Sequence, residues 1–86
     1  MTRASNLELA HRILDPVPSG LEIYRVGPAR SFPWVSKTAL CFACGKWLGP
    51  DDVFRDVGLR LAGSSYAGRQ ELHVHLTHFR VAGRGP

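Results

Sequence analysis

Cysteine is scarce in this chain: two of the 86 residues, Cys41 and Cys44. At most one disulfide can form. In a reducing compartment so close a pair marks a metal or redox site ahead of a structural disulfide. Long apolar runs are missing too. No stretch approaches the ~18 apolar residues that a membrane span requires. Met1-Thr2-Arg3-Ala4-Ser5 leads into an amphipathic segment with Glu8, His11 and Arg12, not into the unbroken apolar core of a signal peptide. The expectation is a cytoplasmic protein with no membrane partner. Blocks of like charge are also absent. The net charge is +4 and the pI about 9.7, a balance that favours nucleic acid or an acidic partner. Yet residues 1–36 carry four basic and three acidic groups, residues 37–60 four and three, and residues 61–86 three and one. A strong electrostatic footprint is absent from the sequence, though one could assemble in three dimensions from Arg69, Arg80 and Arg84 joined by Lys37 or Lys46.

What remains describes an ordinary globular chain, with 44% apolar and 21% charged residues. Residues 1–86 read as one small domain. A chain this short buries only ~60–65% of the surface its unfolded form exposes. Small domains of this kind often need a staple: a disulfide, a metal or a partner. Nine Gly and six Pro point to many turns and little long helix.

Residues 5–14 read as a short helix. Ser5 serves as N-cap and Glu8, three residues on, completes a capping box. Leu7, Ala10, Ile13 and Leu14 share one face. Asp15-Pro16 ends the helix, because a residue before proline is pushed away from helical angles. Leu21-Glu22-Ile23-Tyr24-Arg25-Val26 is a strand candidate rich in β-branched and aromatic residues. Pro33 allows only an edge or irregular strand in its neighbourhood. Lys37 to Phe42 reads as a strand running into the cysteine turn, with Trp47 and Leu48 leaving it. Gly49-Pro50-Asp51-Asp52 is a turn or a helix start. A strand over Val53 to Leu61 is preferred, although Arg55 breaks its apolar phase. Gly63 to Gly68 is a loop. Leu72-His73-Val74-His75-Leu76-Thr77 alternates cleanly and is a strand. The tail Gly83-Arg84-Gly85-Pro86 is expected to fray. The fold class is α+β: one short N-terminal helix followed by a small antiparallel sheet, a meander stapled by zinc.

The chemistry concentrates in C-x2-C-x28-H-x-H-x2-H, formed by Cys41, Cys44, His73, His75 and His78. Two cysteines separated by two residues bring both sulfurs to one ion when the turn is tight. Gly45 permits the positive backbone angle that such a turn needs. His73 and His75, two apart on a strand, project from the same face. They form the first ligand pair. His75 with His78 is the alternative if the strand ends or bulges near Thr77. Five donors exceed a tetrahedral set, so one histidine must stand outside it. Thiolate with imidazole suits Zn2+, and a closed Cys2His2 site is structural.

The segment Cys41-Phe42-Ala43-Cys44-Gly45 resembles the zinc knuckle of zinc-ribbon and treble-clef domains. The likeness covers about five residues, and no second C-x2-C follows. His75-Leu76-Thr77 gives only one of the two H-x-T elements of a two-histidine phosphoesterase. Only eight residues follow His78, too few for the downstream helix of an HNH nuclease. No βαβ pattern surrounds Cys41 to support a thioredoxin-like redox pair. Buried, metal-free cysteines with surface histidines remain the plain alternative.

Three functions are compatible with these residues. The first is a non-enzymatic zinc-stapled module for nucleic acid, in which Lys37, Lys46, Arg69, Arg80 and Arg84 meet phosphates and Trp34 and Trp47 stack on bases. The second is a protein-interaction adaptor or an inhibitor of a larger machine, using an exposed aromatic patch around Trp34 and Trp47. The third is a small metal-dependent hydrolase with an open coordination position and Glu71 as acid or base. Oligomeric state is not legible.

Overall fold

A computed structural model describes residues 4–65 and 67–84. Tyr66, within the expected Gly63–Gly68 loop, and residues 85–86 of the expected frayed tail lie outside the described residues, as do residues 1–3. Helix α1 (Asn6–Ile13) is followed by strands β1 (Leu21–Val26), β2 (Phe54–Leu61) and β3 (Gln70–His75) and by helix α2 (Leu76–Ala82). The strands form one antiparallel sheet in the order β1-β2-β3. This is an α+β fold, with a second helix that the sequence did not suggest. Among the described residues no helix is long and apolar enough to cross a membrane.

Local chemistry explains the elements. Ser5 caps α1, its Oγ accepting from the Glu8 N–H at 3.1 Å. β2 and β3 pair through the register Phe54–His75, Asp56–His73 and Gly58–Glu71. Residues two apart share a face, so Phe54, Asp56, His73 and His75 all lie on one side. Val57, Leu59 and Val74 lie on the other, where they bury against Ile23 of β1, Ala10 of α1, Leu14 at its C-terminal cap and Phe79 of α2. The two helices thus cover one face. Gly58 sits where the bulge in β1 brings Tyr24 and Arg25 close: a Cβ there would stand 2.7 Å from Arg25 Cγ.

The opposite face is covered by the long connection between β1 and β2, residues 27–53. Ala39, Cys41 and Leu48 bury on Phe54, with Phe32 packed alongside. The expected strand over Lys37 to Phe42 is absent. Only single bridges occur there, Leu40 to Trp47 and Cys41 to His73. Pro33 and the tight turn at the cysteines leave no length for a ladder. The expected strand end at Thr77 is also corrected. The chain turns at His75, and Leu76 to Ala82 coil into a helix that buries Phe79.

Candidate metal centre

The cysteine turn is held by its own backbone. The Gly45 N–H donates to Cys41 O at 2.8 Å, and the Cys41 N–H donates to Lys46 O at 2.9 Å. Gly45 has φ +73°, the left-handed angle that closes the turn without strain. A further bond, from the Phe42 N–H to His73 O at 2.8 Å, ties the turn to β3. That contact places the two sulfurs at the β3–α2 junction.

Four donors converge there. One ligand atom from each of Cys41, Cys44, His75 and His78 lies within 4.8 Å of all the others. Neighbouring ligands on a tetrahedral zinc stand about 3.3–3.8 Å apart, from bond lengths of about 2.0–2.3 Å. Cys44 Sγ and His75 Nδ1 already stand at 3.3 Å. Cys41 and His75 are buried, His78 is half-buried and Cys44 is exposed. Both cysteines are free thiols. Burial pushes the Cys41 thiol up, but backbone N–H groups of His75, Cys44 and Ala43 together with the Cys44 side chain outweigh it, and its pKa lies below the ordinary thiol value. The His75 N–H stands 3.4 Å from Cys41 Sγ. N–H groups aimed at sulfur stabilise thiolate, the form that binds metal.

His73 is not in the group. Its Nδ1 donates to Asp56 Oδ1 at 2.6 Å, because the register sets His73 directly across from Asp56. Arg30 grips the same carboxylate with Nε at 2.8 Å and Nη2 at 3.1 Å. Burial raises the Asp56 carboxyl, but the Arg30 and His73 hydrogen bonds bring it below its ordinary range. His73 therefore works in a clamp that fixes the start of the connection. While His73 stands on Asp56, the structure groups the alternative pair, His75 with His78, at the sulfurs. These two lie three apart on the first turn leading into α2, where side chains at i and i+3 meet.

Asp52 and Asp56 both escaped the sequence reading. Asp52 Oδ1 lies 2.9 Å from His75 Nε2 and 3.4 Å from Lys46 Nζ. The His75 hydrogen bond, ahead of Lys46 and the Gly49 N–H, holds the Asp52 carboxyl below its ordinary value. Its only trace in the sequence is its place at the end of the Gly49-Pro50 turn.

The remaining candidates are dispersed. Lys46 and Arg80 line one groove of about 460 Å³ beside the four donors, together with Asp52, His75 and His78. Arg69 lies on the β2–β3 loop, bonded to Ser65 O at 2.7 Å and stacked over Tyr24. Arg84 follows α2, and Lys37 sits in the connection. Trp34 and Trp47 are 67% and 48% exposed, and Phe42 is 51% exposed. Glu71 pairs with Arg25 at 3.8 Å and is not among the four grouped donors. The chain matches no protein-family model, no curated protein and no solved structure.

Proposed function

We propose that the chain is a non-enzymatic zinc-stapled binding module of the cytoplasm, where thiolates stay reduced. The observation that carries this reading is the convergence of Cys41, Cys44, His75 and His78 within 4.8 Å. Two thiolates and two imidazoles are a zinc set. Four protein donors leave a tetrahedral ion no position for water or substrate, which is the pattern of a structural site. The cysteine turn supplies two of the donors, and the end of β3 with the first turn of α2 supplies the other two. Elemental analysis of the purified chain tests the reading. One equivalent of zinc is expected; folded protein with free thiols and no transition metal overturns it.

The surface so fixed suits single-stranded nucleic acid. From Ile23 to Pro50 there is no Asp or Glu, while Lys37 occurs beside Arg25, Arg30 and Lys46, which pair with Glu71, Asp56 and Asp52 from outside the stretch. Trp34, Phe42 and Trp47 are exposed in the same connection, and exposed rings are platforms for unpaired bases. Contacts drawn together include the Leu40–Trp47 bridge and the Ser36 N–H on Leu48 O at 2.7 Å. Lys37, Lys46 and Arg80 then meet phosphates. Two to three such contacts give a log–log salt slope of about −1.4 to −2.1 for single strands. Titration of an oligothymidylate, followed by tryptophan emission, should show that slope. Emission that never changes, or binding indifferent to salt, defeats the nucleic-acid reading while leaving the zinc reading intact.

A protein partner is the second reading. Val35 at 64% exposure and Leu40 at 41% favour it, since aliphatic side chains offer bases no stacking face. Binding of an acidic amphipathic peptide, lost in Val35→Glu, together with silence toward oligonucleotides, is the outcome that selects it.

A further inference from the structure

We infer that Asp52 is the positioning residue of the metal centre, holding His75 in the single tautomer that aims Nδ1 at the sulfurs. This rests on the zinc reading above.

The geometry distinguishes the two nitrogens of one ring. His75 Nε2 faces Asp52 Oδ1 at 2.9 Å, and Nδ1 faces Cys44 Sγ at 3.3 Å. An ionised carboxylate only accepts, so the hydrogen between them belongs to Nε2. A neutral imidazole with its hydrogen on Nε2 has its lone pair on Nδ1. That is the atom already beside the sulfur. Without an acceptor at Nε2 the ring is free to carry its hydrogen on either nitrogen, and one of the two tautomers cannot ligate in this orientation.

Asp52 is itself held firmly enough to do this. Its Oδ2 accepts from the Gly49 N–H at 3.1 Å, and its own N–H donates to Gly49 O at 3.0 Å. Both bonds close the Gly49-Pro50-Asp51-Asp52 turn. Lys46 Nζ, from the chain just past the cysteines, stands 3.4 Å from Oδ1. The Asp52 and His75 side chains are only 14% and 11% exposed, so solvent competes little for either. The four donors come from two segments, the cysteine turn and the β3–α2 junction. Asp52 adds the turn before β2 as a third. A carboxylate behind a ligating histidine fixes ring orientation and raises ligand basicity, and its loss costs about 10–100-fold in metal affinity.

The test uses the whole chain loaded with Zn2+. Long-range proton–nitrogen correlation NMR on 15N-labelled protein reads each histidine nitrogen. Wild type should show His75 bound through Nδ1 with the hydrogen on Nε2. Chelator competition should show Asp52→Ala weakened about 10–100-fold, with Nε2 ligation or mixed tautomers appearing at His75. Asp52→Asn keeps one acceptor oxygen for two donors, the His75 Nε2–H and the Gly49 N–H, and should fall between wild type and Asp52→Ala in affinity. If Asp52→Ala does not fold, the wild-type spectrum decides the assignment by itself: Nε2 ligation there overturns it. Wild-type affinity and an unchanged tautomer in Asp52→Ala overturn the inference alone. Equal losses in both variants with Nδ1 ligation kept also overturn it, since a loosened turn would then be the cause. A wild-type chain that takes no zinc removes the module reading and this inference together.

Discussion

His78→Ala and His73→Ala, made one at a time, should part company in the quantity they change. His78 belongs to the four-donor group. Structural zinc binding in small domains is worth about 10–16 kcal/mol, so an even share is roughly 2.5–4 kcal/mol per donor. Losing one donor should weaken zinc binding by about two to three powers of ten. His73 instead donates to Asp56 at 2.6 Å and meets the Phe32 and Phe54 rings edge-on at 5.8 and 5.1 Å. Its removal leaves Asp56 with Arg30 alone. A hydrogen bond to a charged group contributes about 1.5–3 kcal/mol. An 86-residue domain at roughly 0.05–0.15 kcal/mol per residue has only about 4–13 kcal/mol in total. His73→Ala should therefore lower the urea midpoint markedly while still taking one zinc. Chelator competition with a colorimetric zinc reporter, run alongside urea unfolding, separates the two effects. A folded His73→Ala chain without zinc, or a His78→Ala chain with wild-type affinity, would refute the assignment of the donors.

Three further outcomes follow from the same contacts. Chelation at zinc levels near 1,000 times Kd removes about 4 kcal/mol, which at about 4–8 °C per kcal/mol is a fall in Tm of roughly 15–30 °C; a melt unmoved by chelator contradicts a structural ion. Gly58→Ala places a Cβ 2.7 Å from Arg25 Cγ and 2.9 Å from Tyr24 Cε1; the overpacking should cost about 1–3 kcal/mol by urea denaturation, and a neutral result would mean that the β1 bulge yields freely. Asp56, held below its ordinary range, stabilises the fold in full above the unfolded aspartate value near pH 4 and loses that contribution as pH falls through the lower folded value. The stability gap between wild type and Asp56→Asn should therefore be complete at pH 6 and shrink as the pH drops below about 4, whereas a gap constant with pH would show that the charge of Asp56 plays no part.

Much of this architecture could be read from local sequence, and the failures have physical causes. Ser5 and Glu8 announced α1, and β-branched and aromatic residues announced β1. The cysteine turn with Gly45 was also legible, since C-x2-C-G specifies its own backbone. Helix α2 was hidden because the alternation Leu72-His73-Val74-His75 runs on unbroken into Leu76-Thr77. Leu76, Phe79 and Ala82 also fit a helical face, but seven residues offer little period to count. That one boundary decides which histidines stand beside the sulfurs. On a strand His73 and His75 are neighbours; with a helix opening at Leu76, His75 and His78 are. Asp56 was out of reach for another reason. Its partners Arg30 and His73 lie 26 and 17 residues away, and only the strand register brings them together. The basic residues gave no footprint because the fold uses them separately: Arg30 on Asp56, Arg60 on Glu22, Arg25 on Glu71 and Lys46 on Asp52.

The two faces of the sheet are closed by different physics. On the helix face seven buried residues from five elements interlock, so burial alone can hold α1 and α2 down. On the other face, residues 27–53 lack a regular ladder and fully bury only Ala39, Cys41 and Leu48 against Phe54, with Phe32 partly buried beside them. Two of those three side chains are small, so apolar burial is thin for so long an ordered segment. Fixed points must supply the rest. One is the Arg30–Asp56–His73 clamp beside the Arg30–Phe54 bridge, at the start of the connection. The other is the four-donor group near its end. Between them the chain is pinned lightly, with Ser36 Oγ accepting from the Thr38 and Ala39 N–H groups at 3.2 and 2.9 Å. Trp34 and Val35 stand out to solvent there. An ion held by those four donors would tie down only the second fixed point, so on chelation the connection should loosen from the cysteine turn while the helix-side core stays packed. On the zinc reading, the order of the face displayed between the two anchors would depend on one ion held by Cys41, Cys44, His75 and His78.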